Sequence, residues 1–406
     1  MTTKLWNKNF SLVAICNAIA LLGNMTLSFA LAYYVRDVTG SEAMFGLALS
    51  APYIALLIMS PIGGIIADRV RKQRILFWVD VSILIIIVLY LAIDGMLNAS
   101  LFIIFVKMLA INAAQGVYMS AVNSAIPLIV PTEKLESGNA IMGMVNALIS
   151  AVGMALAAVL YDHFGLTPIL IIFAAVFAAI AILDLFIRVP YEPQKSETNI
   201  VKMIKKDMSQ ALKFIIKDKP FLAGISVILF VFSATVISLL LIGVPILVTD
   251  TLGMDLSLVG ISQIFIALGG LLGGIVSGTV GARLSIKKSP IMLATLSFLP
   301  VPMGLAVLFN MPTMTAFVII TIVCTLIMFV NTMFIITAIT FVQKETPPDL
   351  LGKVLSLLTM LPFLAQATGQ FAFGVLFEQL TPWIVIFIAV VISAVATVFS
   401  FKIKTD

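Results

Sequence analysis

The sequence predicts an all-α membrane protein, with twelve transmembrane helices arranged as two pseudo-symmetric six-helix bundles. Three observations support this fold class. Hydrophobic residues make up 61% of the 406 residues and charged residues only 11%, and the mean hydropathy is +1.18. Long apolar runs recur along the chain, and one hydrophilic stretch divides them into two sets. Since an ordinary soluble domain carries about 25% charged residues, this chain lacks the polar surface needed to face water.

The apolar runs have the length of membrane-spanning helices. A helix needs roughly 20 apolar residues to cross a bilayer core about 30 Å thick. Strands are excluded, because barrel strands have about 10 residues that alternate polar with apolar. The twelve predicted spans cover approximately residues 10–35, 43–67, 75–93, 101–130, 139–160, 168–187, 221–248, 256–280, 290–309, 313–342, 351–377 and 383–401.

The positive charges predict how these helices are oriented. Every Lys and Arg except Arg36 and Lys107 falls on one side of the predicted spans. By the positive-inside rule that side is cytoplasmic, so both termini are predicted in the cytoplasm. The net charge of +5 then reflects topology, and no nucleic-acid partner is expected.

Three parts are predicted along the chain: an N-terminal bundle over residues 1–189, a cytoplasmic linker with a basic amphipathic helix over 190–220, and a C-terminal bundle over 221–406. A weak repeat relates the two bundles. Gly63-Gly64-Ile65-Ile66-Ala67-Asp68 recurs as Gly273-Gly274-Ile275-Val276-Ser277-Gly278, and Gly153 with Tyr161-Asp162 recurs as Gly369 with Phe377-Glu378. Two parallel six-helix halves are typical of secondary transporters.

With these residues the whole chain resembles the major facilitator superfamily. The family pattern G-x-L-A-D-R-x-G-R-K-x-x-L is met by Gly64, Ile66, Ala67, Asp68, Arg69, Lys72 and Leu76, whereas Arg71 replaces its second glycine and Gln73 its final basic residue. Further segments are similar to the branch with macrolide-type drug:proton antiporters: Gly40-Ser41, Pro61-Ile62-Gly63-Gly64, Asp80 and Ile126-Pro127-Leu128-Ile129-Val130-Pro131. The sequence departs from the family at Asn112, where span 4 usually has arginine, and at Met154, where antiporters have proline after glycine.

This resemblance implies a secondary active exporter of hydrophobic or amphipathic small molecules in a bacterial-type plasma (inner) membrane, coupled to protons and working by alternating access. Uptake of a nutrient or movement of a lipid-like solute is the alternative within the family. A membrane-embedded receptor or enzyme is the alternative of another class. No enzymatic cluster is found in the sequence, so we expect no enzyme.

The loop after span 2 is a predicted gating motif comprising Gly64, Asp68, Arg69, Arg71, Lys72 and Arg74. Its glycines are expected to let spans 2 and 3 turn tightly. Asp68 can pair with nearby arginines and cap a neighbouring helix, and thereby act as a latch. Alternatively, the basic residues only fix orientation.

Charged residues inside spans are costly, and they are therefore candidates for ion coupling. Asp80 could carry a coupling proton or pair with a motif arginine. Asp184 could pair with Arg188 four residues later. Lys107 could attract an anionic group, neutralise a carboxylate, or extend to the outer interface.

Uncharged polar residues within the spans are candidates for a central substrate path, although hydrogen bonding between helices explains any one of them equally well. The 28 Phe and 20 Met residues could form an adaptable apolar cavity. The substrate-path candidates are Asn17, Asn24, Asn112, Gln115, Asn146, Gln263, Asn331 and Gln366.

The sequence also limits cofactors and partners. Cys16 and Cys324 each lie in an apolar run and are expected to be small packing residues. His163 is the only histidine and has no nearby cysteine or second histidine, so neither a metal nor another cofactor is expected. No nucleotide-binding loop of the G-x-x-x-x-G-K-[ST] type occurs. The expected partners are an amphipathic substrate, protons and membrane lipid, and the expected state is a monomer.

Overall fold

The computed structural model describes residues 6–97, 101–131, 134–190, 208–280 and 289–401. Within these ranges the chain is almost entirely helical and contains no strand. Twelve helices in these ranges are long and apolar enough to cross a membrane. The predicted fold class is therefore confirmed.

Six helices form the first half of the chain: α1 Lys8–Thr39, α2 Glu42–Arg69, α3 Lys72–Leu97, α4 Leu101–Ile129, α5 Leu135–Phe164 and α6 Leu166–Asp184. The ends of α1 follow from local sequence. The Asn7 side chain accepts a hydrogen bond from the Phe10 N–H at 3.0 Å at its start. Gly40 ends α1 in the left-handed conformation, with φ of 61°, which glycine adopts without a steric penalty.

Six helices follow in the second half: α7 Pro220–Thr251, α8 Leu256–Val280, α9 Ser289–Leu308, α10 Thr313–Glu345, α11 Pro348–Gln379 and α12 Pro382–Ser400. Two of them are irregular. After Pro220–Phe232, α7 contains π-helical turns at Ser233–Ile237, Leu239–Gly243 and Leu247–Thr251. The α-helix of α9 is interrupted between Phe298 and Val301. Pro300 lies in this interruption and lacks the N–H that a continuous helix requires.

The chain divides into two compact units. The first comprises Met1–Gly40 and Ala51–Glu197, and the second comprises Ser41–Ser50 and Thr198–Asp406. In the first unit, α1 packs against α4, α5 and α6, and α3 packs against α4 and α6. In the second unit, α8 packs against α10, α9 against α12, and α7 against both α11 and α12. Glu378 of the second unit accepts hydrogen bonds from the Ser41 hydroxyl at 2.6 Å and the Ala43 N–H at 2.8 Å.

The repeated glycines mark equivalent helix crossings in the two units. A Cβ atom on Gly63 of α2 would lie 2.9 Å from the Val117 Cα of α4, and one on Gly273 of α8 would lie 2.4 Å from the Phe329 carbonyl oxygen of α10. Both glycines lie inside helices. The expectation that the glycines of this motif form a tight turn is therefore wrong, because Gly63 and Gly64 lie within α2. Gly63 and Gly273 instead allow close packing of helix backbones, whereas Gly64 does not contact another helix.

The second pair of repeated glycines, Gly153 and Gly369, also lies at equivalent helix crossings. A Cβ atom on Gly153 of α5 would lie 2.7 Å from the Met25 Cβ of α1. A Cβ atom on Gly369 of α11 would lie 2.2 Å from the Ala234 carbonyl oxygen of α7. Since α5 crosses α1 in one unit as α11 crosses α7 in the other, the sequence repeat corresponds to repeated packing.

Much of the predicted linker, residues 191–207, lies outside the described residues. From residue 208 onward the chain is helical, with a π-helical turn at Phe214–Asp218. Two polar contacts join residues 208–219 to the rest of the second unit. Lys353 Nζ donates to Gln210 Oε1 at 2.6 Å, and Lys219 Nζ contacts Glu345 Oε2 at 2.9 Å. Met208, Leu212 and Ile216, spaced four residues apart, are exposed. This spacing is that of one helix face.

Candidate functional site

Two buried carboxyl groups meet inside the first unit. Asp80 lies about two turns into α3, and Asp184 is the last residue of α6. Both residues have no exposed surface, and their carboxyl groups are within hydrogen-bonding reach of each other. Among the described residues, no nitrogen or hydroxyl group donates a hydrogen bond to any of the four carboxyl oxygens.

Such a pair has a clear electrostatic consequence. Two ionised carboxylates at this separation would repel each other, and each would lose its hydration without a compensating partner. One proton between them removes one negative charge and supplies the donor for a hydrogen bond. The geometry therefore favours a pair that holds a single shared proton, as two adjacent carboxyl groups do elsewhere.

Two further side chains complete what we call the carboxyl cluster, defined as Cys16, Asp80, Tyr118 and Asp184. Cys16 of α1 has its thiol beside the Asp184 carboxyl group, and Tyr118 of α4 lies close enough to both carboxyl groups to interact with them electrostatically. Neither residue has exposed surface. Four helices thus meet around this cluster.

The cluster corrects three expectations. Asp184 faces Asp80 rather than Arg188, because α6 ends at Asp184 and the i+4 spacing of a helix does not continue. Asp80 likewise contacts another carboxyl group rather than a motif arginine. Cys16, which was expected only to pack, also has its thiol beside the Asp184 carboxyl group. Neither Cys16 nor Tyr118 was a candidate from sequence, because an isolated thiol or phenol in an apolar run carries no signal of its own.

Lys107 does not join this cluster. Its Nζ lies 3.3 Å from the centre of the Tyr90 ring, which is the geometry of a cation–π interaction. Tyr90 is ten residues after Asp80 on α3, or roughly 15 Å further along the helix. Of the three coupling candidates, the structure therefore brings together Asp80 and Asp184 and leaves Lys107 apart.

Polar side chains connect the helices of the first unit. Asn17 Nδ2 donates to Asn146 Oδ1 at 2.7 Å and joins α1 to α5. Asn112 Nδ2 donates to Ser28 Oγ at 3.1 Å and joins α4 to α1. These contacts agree with the alternative that such residues hold helices together.

Asn24 and Gln115 differ from Asn17 and Asn112 in their hydrogen bonding. Both side chains are buried, with 0% and 3% of their surface exposed. Among the described residues neither side chain has a hydrogen-bond partner. They therefore remain candidates for contact with a polar substrate group or water.

The second unit contains an apolar cavity of about 210 Å³ between α7, α10 and α11. Phe232 and Phe334 are among its apolar lining residues, and Ser233 and Asn331 are its polar ones. Ser233 begins the first π-helical turn of the α7 span, a distortion often found at functional sites. Of the candidates in this unit, Asn331 lines the cavity, whereas Gln263 and Gln366 do not.

The gating motif is described in part. Arg69, Arg71 and Arg74 are exposed at the junction of α2 and α3, Lys72 is buried with 7% of its surface exposed, and a Cβ on Gly64 would meet open space. The side-chain surroundings of Asp68 lie outside the described residues. The latch therefore stays a prediction.

Twelve membrane-length helices and two units with equivalent helix crossings are the features of a multi-pass membrane transporter. A family model, the Major Facilitator Superfamily, matches residues 13–361. The chain therefore belongs to the major facilitator superfamily, as the sequence motif indicated. Membership of this family indicates a transporter rather than an enzyme.

A known relative is Macrolide efflux protein A of Streptococcus pyogenes, which is 23% identical over 285 residues. The match covers 68% of this chain and 67% of the relative. The same figures hold for that protein from serotype M6 of the same species.

Solved structures share the fold over nearly the whole chain. The nucleoside transporter NupG has a TM-score of 0.72 at 18% identity, covering 98% of this chain and 100% of that one. The POT family transporter PepTSo has a TM-score of 0.71 at 12% identity, covering 98% of each chain. A bacterial homolog of the human lysosomal transporter Spinster has a TM-score of 0.70 at 14% identity, covering 98% of this chain and 97% of that one. At these identities the similarity concerns the fold alone.

Proposed function

We propose that this protein is a secondary active exporter that exchanges protons for hydrophobic or amphipathic small molecules by alternating access. The observation that carries the proposal is the Asp80–Asp184 pair, two carboxyl groups buried within reach of each other without another N–H or O–H donor among the described residues. A site that needs one proton for its stability is suited to exchanging that proton during a transport cycle.

The proposed substrate class follows from the cavity of the second unit. Its walls are mainly aliphatic and aromatic, and Ser233 and Asn331 supply only two polar side chains. Such a cavity favours an apolar or amphipathic group, with the two polar side chains fixing its orientation. The 23% identical relative named for macrolide efflux supports the same class.

The proposed cycle uses the carboxyl cluster as the proton carrier. One proton resides between Asp80 and Asp184 in the loaded form. Its release leaves two buried negative charges, which favours rearrangement of α3 and α6 until a new proton enters. Cys16 and Tyr118 are positioning residues that hold the two carboxyl groups in place. We further propose a monomer in a bacterial cytoplasmic membrane, with both termini in the cytoplasm.

Transport in inside-out vesicles tests this proposal. Vesicles containing the protein are energised with a pH gradient and given a panel of fluorescent amphipaths and a radiolabelled macrolide. We expect uptake that collapses with the gradient and is abolished in D80N and in D184N. D255N replaces an exposed carboxylate outside the cluster and should transport normally. Gradient-independent movement, or full activity in both cluster variants, would contradict proton coupling at this site.

A further inference from the structure

A second cavity opens on the surface of the first unit, and none of the four residues of the carboxyl cluster lines it. It has a volume of about 330 Å³ and is bounded by α2, α3 and α4. We call it the α2–α4 groove and define it by its lining residues Met59, Ile66, Val70, Arg74, Ile75, Trp78, Val79, Ser82, Ala113, Ala114 and Val117. Ala113 and Ala114 are small residues on the α4 wall.

The groove is apolar along its length and cationic at one end. Arg74 lies in the first turn of α3, and Ser82 lies eight residues further, or roughly 12 Å along the helix. The Ser82 hydroxyl donates to the Val79 carbonyl oxygen at 2.7 Å, which leaves the deep part of the groove without a free donor. An occupant therefore needs an apolar chain that ends in an anionic group.

Arg74 is available to bind that anionic group. Its side chain is exposed, and among the described residues no side chain forms an ion pair or hydrogen bond with its guanidinium group. Trp78 is 63% exposed and lies one helical turn deeper, where an indole ring is suited to the membrane interface. Arg69 and Arg71 add positive charge nearby in the sequence.

We propose that the α2–α4 groove binds an anionic phospholipid, with its phosphate on Arg74 and one acyl chain along Trp78, Ala113 and Ala114. Basic pockets between transmembrane helices bind the headgroups of anionic lipids by the same charge complementarity. The lipid would contact the helices on both sides of the motif loop. Nothing in the proposal depends on the transported substrate.

Fluorescence quenching of Trp78 tests this site. A W6F/W383F variant retains Trp78 as the only tryptophan, and it is reconstituted into phosphatidylcholine vesicles with a small fraction of brominated phosphatidylglycerol or brominated phosphatidylcholine. We expect the brominated phosphatidylglycerol to reach Trp78 with about fivefold preference, the gain typical of one basic residue near a membrane surface. High salt should reduce this preference.

Two variants test the contact with the lipid headgroup and the apolar groove independently. R74Q removes the cation, and A114L fills the depression while keeping Arg74; both are expected to abolish the preference. K344Q removes an exposed cation of the second unit and should leave the preference for phosphatidylglycerol unchanged. Equal quenching by the two lipids in the parent, or a preference retained in either R74Q or A114L, would overturn the proposal. The salt dependence of the parent gives a result even if a variant fails to fold.

Discussion

At the scale of single residues, the proposed function depends on the shared proton that we propose between Asp80 and Asp184. An ionised carboxylate is expensive in the interior of a membrane helix bundle, and two in contact are more so. Neither aspartate has exposed surface, so water does not reduce that repulsion directly. In our proposal protonation therefore stabilises the pair, and the proton is coupled to any motion that separates α3 from α6.

Cys16 should influence this pair through its thiol. Replacing it with valine keeps the volume similar but removes the polar contact beside Asp184. A polar contact of this kind contributes about 1 kcal/mol, so we expect proton-driven transport to fall about fivefold. The vesicle assay measures this change. Cys324 is also fully buried but belongs to the second unit, and C324V is the matched control with unchanged transport. An equal loss in both variants would assign Cys16 to packing alone.

At the scale of helices, small residues determine which backbones can approach each other. Gly63 and Gly273 occupy the same position in the repeated motif, and each lies against the helix two further along the chain, α4 or α10. The adjacent Gly64 and Gly274 both meet open space. Only one glycine of each pair is therefore required for packing, although the sequence alone does not distinguish them.

This difference predicts the stability of two neighbouring alanine variants. A Cβ at position 273 would lie 2.4 Å from the Phe329 carbonyl oxygen, so G273A must separate α8 from α10. We expect it to lower the free energy of unfolding by about 1 to 3 kcal/mol. G274A should be neutral or slightly stabilising, because alanine favours the helix. Thermal unfolding in detergent measures both. Equal effects of the two variants would contradict this packing account.

Helix α7 shows what helix-level prediction misses. Its apolar run predicts a transmembrane helix of ordinary geometry, yet three π-helical turns lie between Ser233 and Thr251. The close approach of Gly369 to Ala234 occurs at the first of these turns. This π-helical turn thus lies where α7 packs against the distant α11, and a run of apolar residues does not predict such packing.

At the scale of the whole molecule, hydropathy and the motif loop were enough to predict the fold and family. The number of helices follows from bilayer thickness, a constraint that acts on every span alike. The site was only partly predictable. Asp80 and Asp184 were singled out because intramembrane charge is rare, but their meeting depends on how α3 packs against α6. Local spacing suggested Arg188 as the partner of Asp184 and therefore gave the wrong neighbour.

The most direct test of the central claim is infrared spectroscopy of the purified protein at neutral pH, comparing the parent with D80N/D184N. Exposed carboxyl groups are ionised under these conditions, so a carboxylic-acid C=O band reports a buried proton. We predict such a band in the parent and in D255N, and its loss in D80N/D184N. A parent spectrum without any band beyond that of the double variant would mean that the pair holds no proton, and it would contradict the proposed coupling site.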